Sequence, residues 1–292
     1  MSVGLCDEVR ATCAQIAAGA RSVDIDLEAL GHVEPEPPPA LDPLRHYVDG
    51  SPAAVASYFL ALDAVNFGSG WFPTLRKRSG SSGYFTVAWA IADRFRAHGP
   101  WTNAQLRAMR TDEIADTLGQ RRDHELMALY AQALRALGRF LGERDALAVV
   151  RAARGSAQAL AAQLASGMAL FADRGFYKRA QIVPANLALA RVARFKDLRS
   201  LTIFADNLVP HVLRCDGVLR YDEDLATHID AGRLLPAGAR EREIRACAVH
   251  ACELIARRVG VSEHELDNWL WSRGQAPQYK AHPRHRTRTV YY

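Results

Sequence analysis

Asp206 stands in the run LTIFADNLVPH, residues 201–211, with Ile203, Phe204, Leu208 and Val209 around it and Pro210 four positions on. A bare carboxylate among apolar side chains is costly, so such a residue is either paired with a cation or kept for chemistry. The chemistry open to it is stabilisation of a forming positive charge or activation of a water molecule. Read as a helix, 201–208 puts Leu201, Phe204, Ala205 and Leu208 on one face and Asp206 off it, with no charged neighbour at ridge spacing. Pro210 ends or kinks that helix and a second begins at 209 or 210, so Asp206 falls near a helix C-terminus, where the macrodipole disfavours an anion. Two other readings stay open. Asp206 could cap the following helix, which would set Pro210 at a poor fourth position, or it could pair with an arginine.

Further residues of chemical type stand at suggestive spacings. In ELDNWLWSRGQ, 265–275, Asp267 and Trp271 are four apart and share a helix face. A carboxylate beside an indole suits a planar heterocycle bearing N–H groups, although a core tryptophan above a surface acid is the simpler reading. In GFYKRAQIVPANL, 175–187, Lys178 and Arg179 could hold a phosphate beside Tyr177. Two solvated charges at a helix start are preferred on the residues alone. Asn66 leads NFGSGW, a glycine loop with aromatic neighbours that could rim a pocket. His46 is a lone histidine, read as structural. The C-terminal HRTRTVYY, 285–292, is basic, but its closing tyrosines suggest that it docks on the core.

Helical period supplies the elements that must position these groups. It runs through 241–259, with Ile244, Cys247, Ala248, Ala251 and Ile255 on one face and a Glu253–Arg257 pair on the wet side. It recurs over 121–141 and from Ser51 and Pro52 to 65, and Thr102 and Gln105 have capping-box spacing. Further helices are expected at 8–19, 84–97, 156–170, 186–195, 222–230 and 262–272. Strand signals are confined to 22–27 and 286–292. The expectation is a mainly α chain, one helical domain over 1–292, with an N-terminal segment 1–33 joined by the stiff Pro-rich connector 34–43. The segment 74–83, TLRKRSGSSG, reads as a flexible loop.

Composition narrows the function classes. Over 292 residues the chain is 49% hydrophobic and 24% charged with a net charge of +5, so an anionic partner is permitted but not required. The basic residues are dispersed, which argues against a stable nucleic-acid complex. Cys6, Cys13, Cys215, Cys247 and Cys252 form no C-x-x-C pair and no metal-finger spacing, and read as reduced thiols of a cytoplasmic protein. No signal peptide or membrane span is expected, since Asp7 and Glu8 precede any long apolar stretch and the longest apolar run is short. P-loop, G-x-G-x-x-G, G-x-S-x-G and H-E-x-x-H patterns are absent, so neither cofactor nor metal is expected.

Six segments, NFGSGW, GFYKRAQI, LTIFADNLVPHVL, EREIRACAVHACELI, LDNWLW and HRTRTVYY, together resemble the queuosine salvage proteins in order and approximate spacing, from about residue 40 onward. The resemblance implies a helical fold related to DNA glycosylases and hydrolysis of the N-glycosidic bond of queuosine 5′-phosphate, releasing the 7-deazaguanine base queuine. It implies that Asp206 is the catalytic aspartate, Phe204 a pocket aromatic, Asp267 a base-binding aspartate and His46 a substrate contact. Lys178 is the choice for the 5′-phosphate. Asn268 and Ser272 stand where the family pattern has a tyrosine and an acidic residue, so the pocket is expected to differ there. The rival classes are a non-catalytic queuine or nucleotide carrier and a helical nucleic-acid-binding protein.

Overall fold

Side-chain caps set many of the helix boundaries. In the computed structural model, which describes residues 4–292, Ser51 Oγ accepts the Ala54 amide at 3.3 Å, and the Thr102/Gln105 and Ser262/Glu265 pairs close reciprocal capping boxes. The helices in chain order are α1 (Leu5–Ala18), α2 (Leu27–Gly31), α3 (Pro52–Ala64), α4 (Gly83–His98), α5 (Asn103–Ala108), α6 (Thr111–Thr117), α7 (Glu125–Leu141), α8 (Ala146–Ala152), α9 (Ala157–Gly167), α10 (Lys178–Leu189), α11 (Val209–Cys215), α12 (Glu223–Asp230), α13 (Ala239–Val259), α14 (Glu263–Arg273) and α15 (Pro277–Lys280). Two three-residue strands, β1 (Val23–Ile25) and β2 (Leu219–Tyr221), pair antiparallel with Val23 opposite Tyr221. The fold is mainly α. No helix among the described residues is long and apolar enough to cross a membrane.

Two apolar clusters divide the interior. One joins α3, α4, α7 and α9 through Tyr58, Phe59, Ile91, Leu134 and Leu160. The other surrounds α13 and draws in α1, α11, α14 and the ribbon through Val9, Val212, Ile244, Leu266 and Leu219. A small third cluster of Cys6, Ala157, Ala185, Leu201 and Phe204 lies beside the α10 side of this seam. The N-terminal segment therefore packs into the body even though a proline-rich stretch follows it.

Two buried arginines tie the parts together. Arg245 on α13 pairs with Asp173 and Glu241, and its Nε donates to the Ala205 carbonyl at 2.9 Å. Its guanidinium lies 3.9 Å from the Phe176 ring and 4.6 Å from that of Tyr292. Arg179 donates to the carbonyls of Ala64, Leu170 and Val290 between the rings of Phe67 and Phe171. The C-terminus docks as its tyrosines suggest. The Gly68 amide donates to the Tyr292 carbonyl at 2.9 Å, and a Cβ at Gly70 would lie 2.5 Å from the Thr287 carbonyl oxygen.

Several expectations fail for physical reasons. Residues 201–205 are irregular and 206–208 form a bend, so no helix covers 201–208. Buried side chains on both sides of that stretch give it no solvent face. The helix expected at 186–195 runs instead from Lys178 to Leu189, across Pro184. Eight of its twelve residues are buried, and that packing outweighs the proline's local cost. The tail 286–292 forms no strand, because the backbone donors and acceptors it uses face loops and side chains. The helix expected from 121 starts at 125, where His124 Nδ1 accepts the Leu126 amide. Short α2, α6, α8 and α15 were outside the expected set. Glu253 does pair with Arg257 at 2.6 Å, but Glu253 is buried rather than on the wet side.

Candidate active site

Asp206 lies just ahead of α11, not at the end of a helix. Its Oδ1 accepts the amides of Leu208 at 2.7 Å and Val209 at 3.2 Å. The reading of Asp206 as a cap is nearest the structure, with the correction that Pro210 is the second residue of α11, where a missing amide costs nothing. The local dipole now favours the anion instead of opposing it. The half-buried carboxylate keeps Oδ2 free of hydrogen bonds to described residues and lines a cavity of about 290 Å³ where the two apolar clusters meet.

Asp267 on α14 lines the same cavity and is 4% exposed. Its Oδ1 accepts the Phe204 amide at 2.8 Å. Burial first, and then the charge of Asp206, push its pKa up to about 8, against the pull of the Phe204 amide and Lys178. Asp267 therefore holds a proton at neutral pH. Two carboxyl groups share one site with different protonation, which is the arrangement that separates chemical roles.

Lys178 and Arg179 are 4% and 1% exposed, so the preferred reading of two solvated charges is wrong. They also diverge. Lys178 Nζ donates to the Asn66 carbonyl and Oδ1, at 3.2 Å each, and lines the cavity. Burial lowers its pKa, while Asp206 and then Asp63 raise it. Arg179 points into the core contacts described above. The turn between Tyr177 and Lys178 is strained, with Tyr177 at φ +49°.

His46 Nδ1 lies 3.3 Å from the Asp42 carbonyl and Nε2 3.1 Å from the Tyr84 hydroxyl. A carbonyl only accepts, so Nδ1 carries the hydrogen and Nε2 accepts from Tyr84. Burial lowers the pKa and keeps the ring neutral. Trp271 meets Tyr84 and Phe85 edge-on, at 5.3 Å and 5.5 Å between ring centres, and so bridges α14 to α4. Asn268 and Ser272 line the cavity on the α14 side, and Phe204 closes it nearby.

A family model described as queuosine salvage protein matches residues 45–292. A queuosine 5′-phosphate N-glycosylase/hydrolase of Sphaerobacter thermophilus is 33% identical over 318 residues, covering 97% of each chain. Proteins of the same description from Dictyostelium discoideum and Mus musculus are 38% and 34% identical, each over 40% of both chains. The chain belongs to the queuosine salvage family. All seven residues that the family resemblance had singled out, His46, Lys178, Phe204, Asp206, Asp267, Asn268 and Ser272, line this one cavity.

The cavity of this queuosine salvage protein also holds residues the sequence did not single out. Tyr84 and Asn207 line it, and Asn207 Nδ2 donates to the His285 carbonyl at 3.0 Å. Asp63 on α3 is fully buried behind Asn66. It accepts from Asn186 at 3.0 Å and from Asn66 at 3.3 Å, with its pKa pushed up to about 6 by burial. Asp63 carries the signature that drew attention to Asp206: an acid inside the apolar run YFLALDAV.

Proposed function

We propose that this chain hydrolyses queuosine 5′-phosphate to queuine and ribose 5-phosphate, with Asp206 as the catalytic carboxylate. The observation that carries the reading is Asp206 itself, with one oxygen held by two amides and the other unpaired at a cavity that also holds a buried second acid. Breaking the bond between C1′ and the base leaves an oxocarbenium-like sugar. Asp206 faces that charge, or takes the proton of the water that adds to C1′. One water is consumed, with its hydroxyl going to C1′ and a proton to the base. A 7-deaza base lacks the N7 that protonation would exploit, so help for the leaving group comes from its hydrogen-bonding edge.

Asp267 is the acceptor for that edge, with Phe204 and Trp271 along the ring. His46 is a further substrate contact, and Asn268 and Ser272 offer an amide and a hydroxyl to the base substituent. Lys178 keeps one N–H beyond the two given to Asn66, for Asp206 or a sugar oxygen. We place the reaction in the cytoplasm, where five unpaired thiols stay reduced.

Binding at Asp267 has a pH signature. A base that donates N–H groups favours the carboxylate form, whereas Asp267 alone carries its proton below about 8. Queuine is therefore expected to bind with proton release at pH 7, its affinity rising about tenfold per pH unit up to that value. Calorimetry in buffers of different ionisation enthalpy measures the proton. No release would remove Asp267 as the acceptor. The same shift acts on stability. The folded state binds the extra proton between pH 3.8 and about 8, so stability relative to Asp267→Asn falls as pH rises through that window.

The deciding experiment is incubation with queuosine 5′-phosphate followed by mass spectrometry. Free queuine and ribose 5-phosphate are expected, whereas a carrier would return the nucleotide intact.

A further inference from the structure

A second cavity, of about 920 Å³, adjoins the first and shares Ser69, Tyr84, Asp206, Asn207 and Trp271 with it. Its character is opposite. Lys77, Arg78, Lys280, His282, Arg284 and Arg286 line it, and Asp206 at the junction is its one acidic lining residue. Arg78 pairs with Asp93 and Arg286 donates to the Gly232 carbonyl. Arg284 is only partly exposed, yet it forms no hydrogen bond or ion pair with any described residue. Burial lowers its pKa and the charge of Asp206 raises it, so its guanidinium lies in the field of that carboxylate. On the same wall the Ser69 and Ser81 hydroxyls are buried with no partner.

Buried donors left without acceptors cost free energy, and each needs a reason. Here the reason is a common one. A guanidinium, an ammonium and two hydroxyls with no competing acceptor match a phosphate group. Lys178 is a poorer match. Two of its hydrogens are held by Asn66, and a phosphate dianion beside it would face the carboxyl groups of Asp206, Asp63 and Asp267.

We propose that Arg284, with Lys280 and the Ser69 and Ser81 hydroxyls, forms the subsite for the 5′-phosphate of the substrate, in place of Lys178. The inference rests on the proposed function and deepens it. It has a catalytic consequence, because a cation beside Asp206 opposes the positive charge that develops on the sugar. The phosphate dianion cancels that field when it sits on Arg284. The phosphate thus aids turnover as well as binding, and a free nucleoside leaves the opposing charge uncompensated.

The test compares the parent chain with Arg284→Gln, Arg284→Lys and Lys178→Ala on queuosine 5′-phosphate and on free queuosine, with ribose 5-phosphate as competitor. Arg284→Gln is expected to lose about 10- to 100-fold in kcat/KM on the phosphate, and inhibition by ribose 5-phosphate should weaken by a similar factor. Any turnover of the free nucleoside should change far less or rise. Arg284→Lys should recover part of the preference, and Lys178→Ala should lower both substrates together. Thermal melting of Arg284→Gln should match the parent, since Arg284 has no partner to lose. Unchanged inhibition by ribose 5-phosphate in Arg284→Gln, or proportional loss on both substrates, would overturn the subsite. A parent chain that releases no queuine from either substrate would instead remove the proposed function.

Discussion

Asp206→Asn is expected to fold like the parent, bind queuosine 5′-phosphate and release queuine about 10³-fold more slowly or worse. The amide oxygen of asparagine can still accept the Leu208 and Val209 amides, and asparagine is as good as aspartate in that turn. What disappears is the negative charge opposite C1′ and the base for the attacking water. The variant has a second readout. Asp206 is the second cause of the raised pKa of Asp267, so removing its charge should bring that pKa down from about 8. Proton release on queuine binding at pH 7 should shrink accordingly. A variant with a tenth of parental turnover would take Asp206 out of the chemistry, whatever the binding data showed.

Arg245→Ala is expected to cost about 3–5 kcal/mol of stability, read as a shift in the urea midpoint at unchanged slope. The side chain is buried between two aromatic rings and neutralises Asp173 and Glu241, both themselves buried. Truncation leaves two buried carboxylates without their cation and a void between the rings. Arg245→Met keeps most of the volume and still strands the charges, so it should recover only a small part of the loss. Its Nε also holds the Ala205 carbonyl, next to Asp206. Surviving Arg245→Met protein should therefore show lower turnover with little change in queuine affinity. A stability loss below about 1 kcal/mol for Arg245→Ala would mean that the ion network contributes no more than a surface pair.

The legible part of this protein was its local part. Ser51, Thr102 and Ser262 cap helices that can be read directly, and the long α13 follows its apolar stripe. The oddity of Asp206 was equally legible, because a charge in an apolar run is a signal of composition alone. Its setting was not. Pro210 suggested a broken helix, whereas the chain enters α11 from an irregular stretch and places the proline in the first turn. The basic residues looked scattered in sequence. Lys77 and Arg78 nevertheless meet 280–286 across one groove, some two hundred positions apart in the chain.

The sequence by itself determined the helical class, most of the long helices, the family and the seven residues that share the cavity, because caps, periodicity and short motifs act over a few neighbouring positions. The tertiary structure alone decided which charges are buried and what they face. Adjacent Lys178 and Arg179 part, one toward Asp206 and the other into a sleeve of carbonyls and rings. Asp267 keeps its proton, and Arg284 stays unpaired beside Asp206. Each of these outcomes depends on which distant segment covers a charged group, since desolvation and Coulomb energy follow distance in space and not separation along the chain.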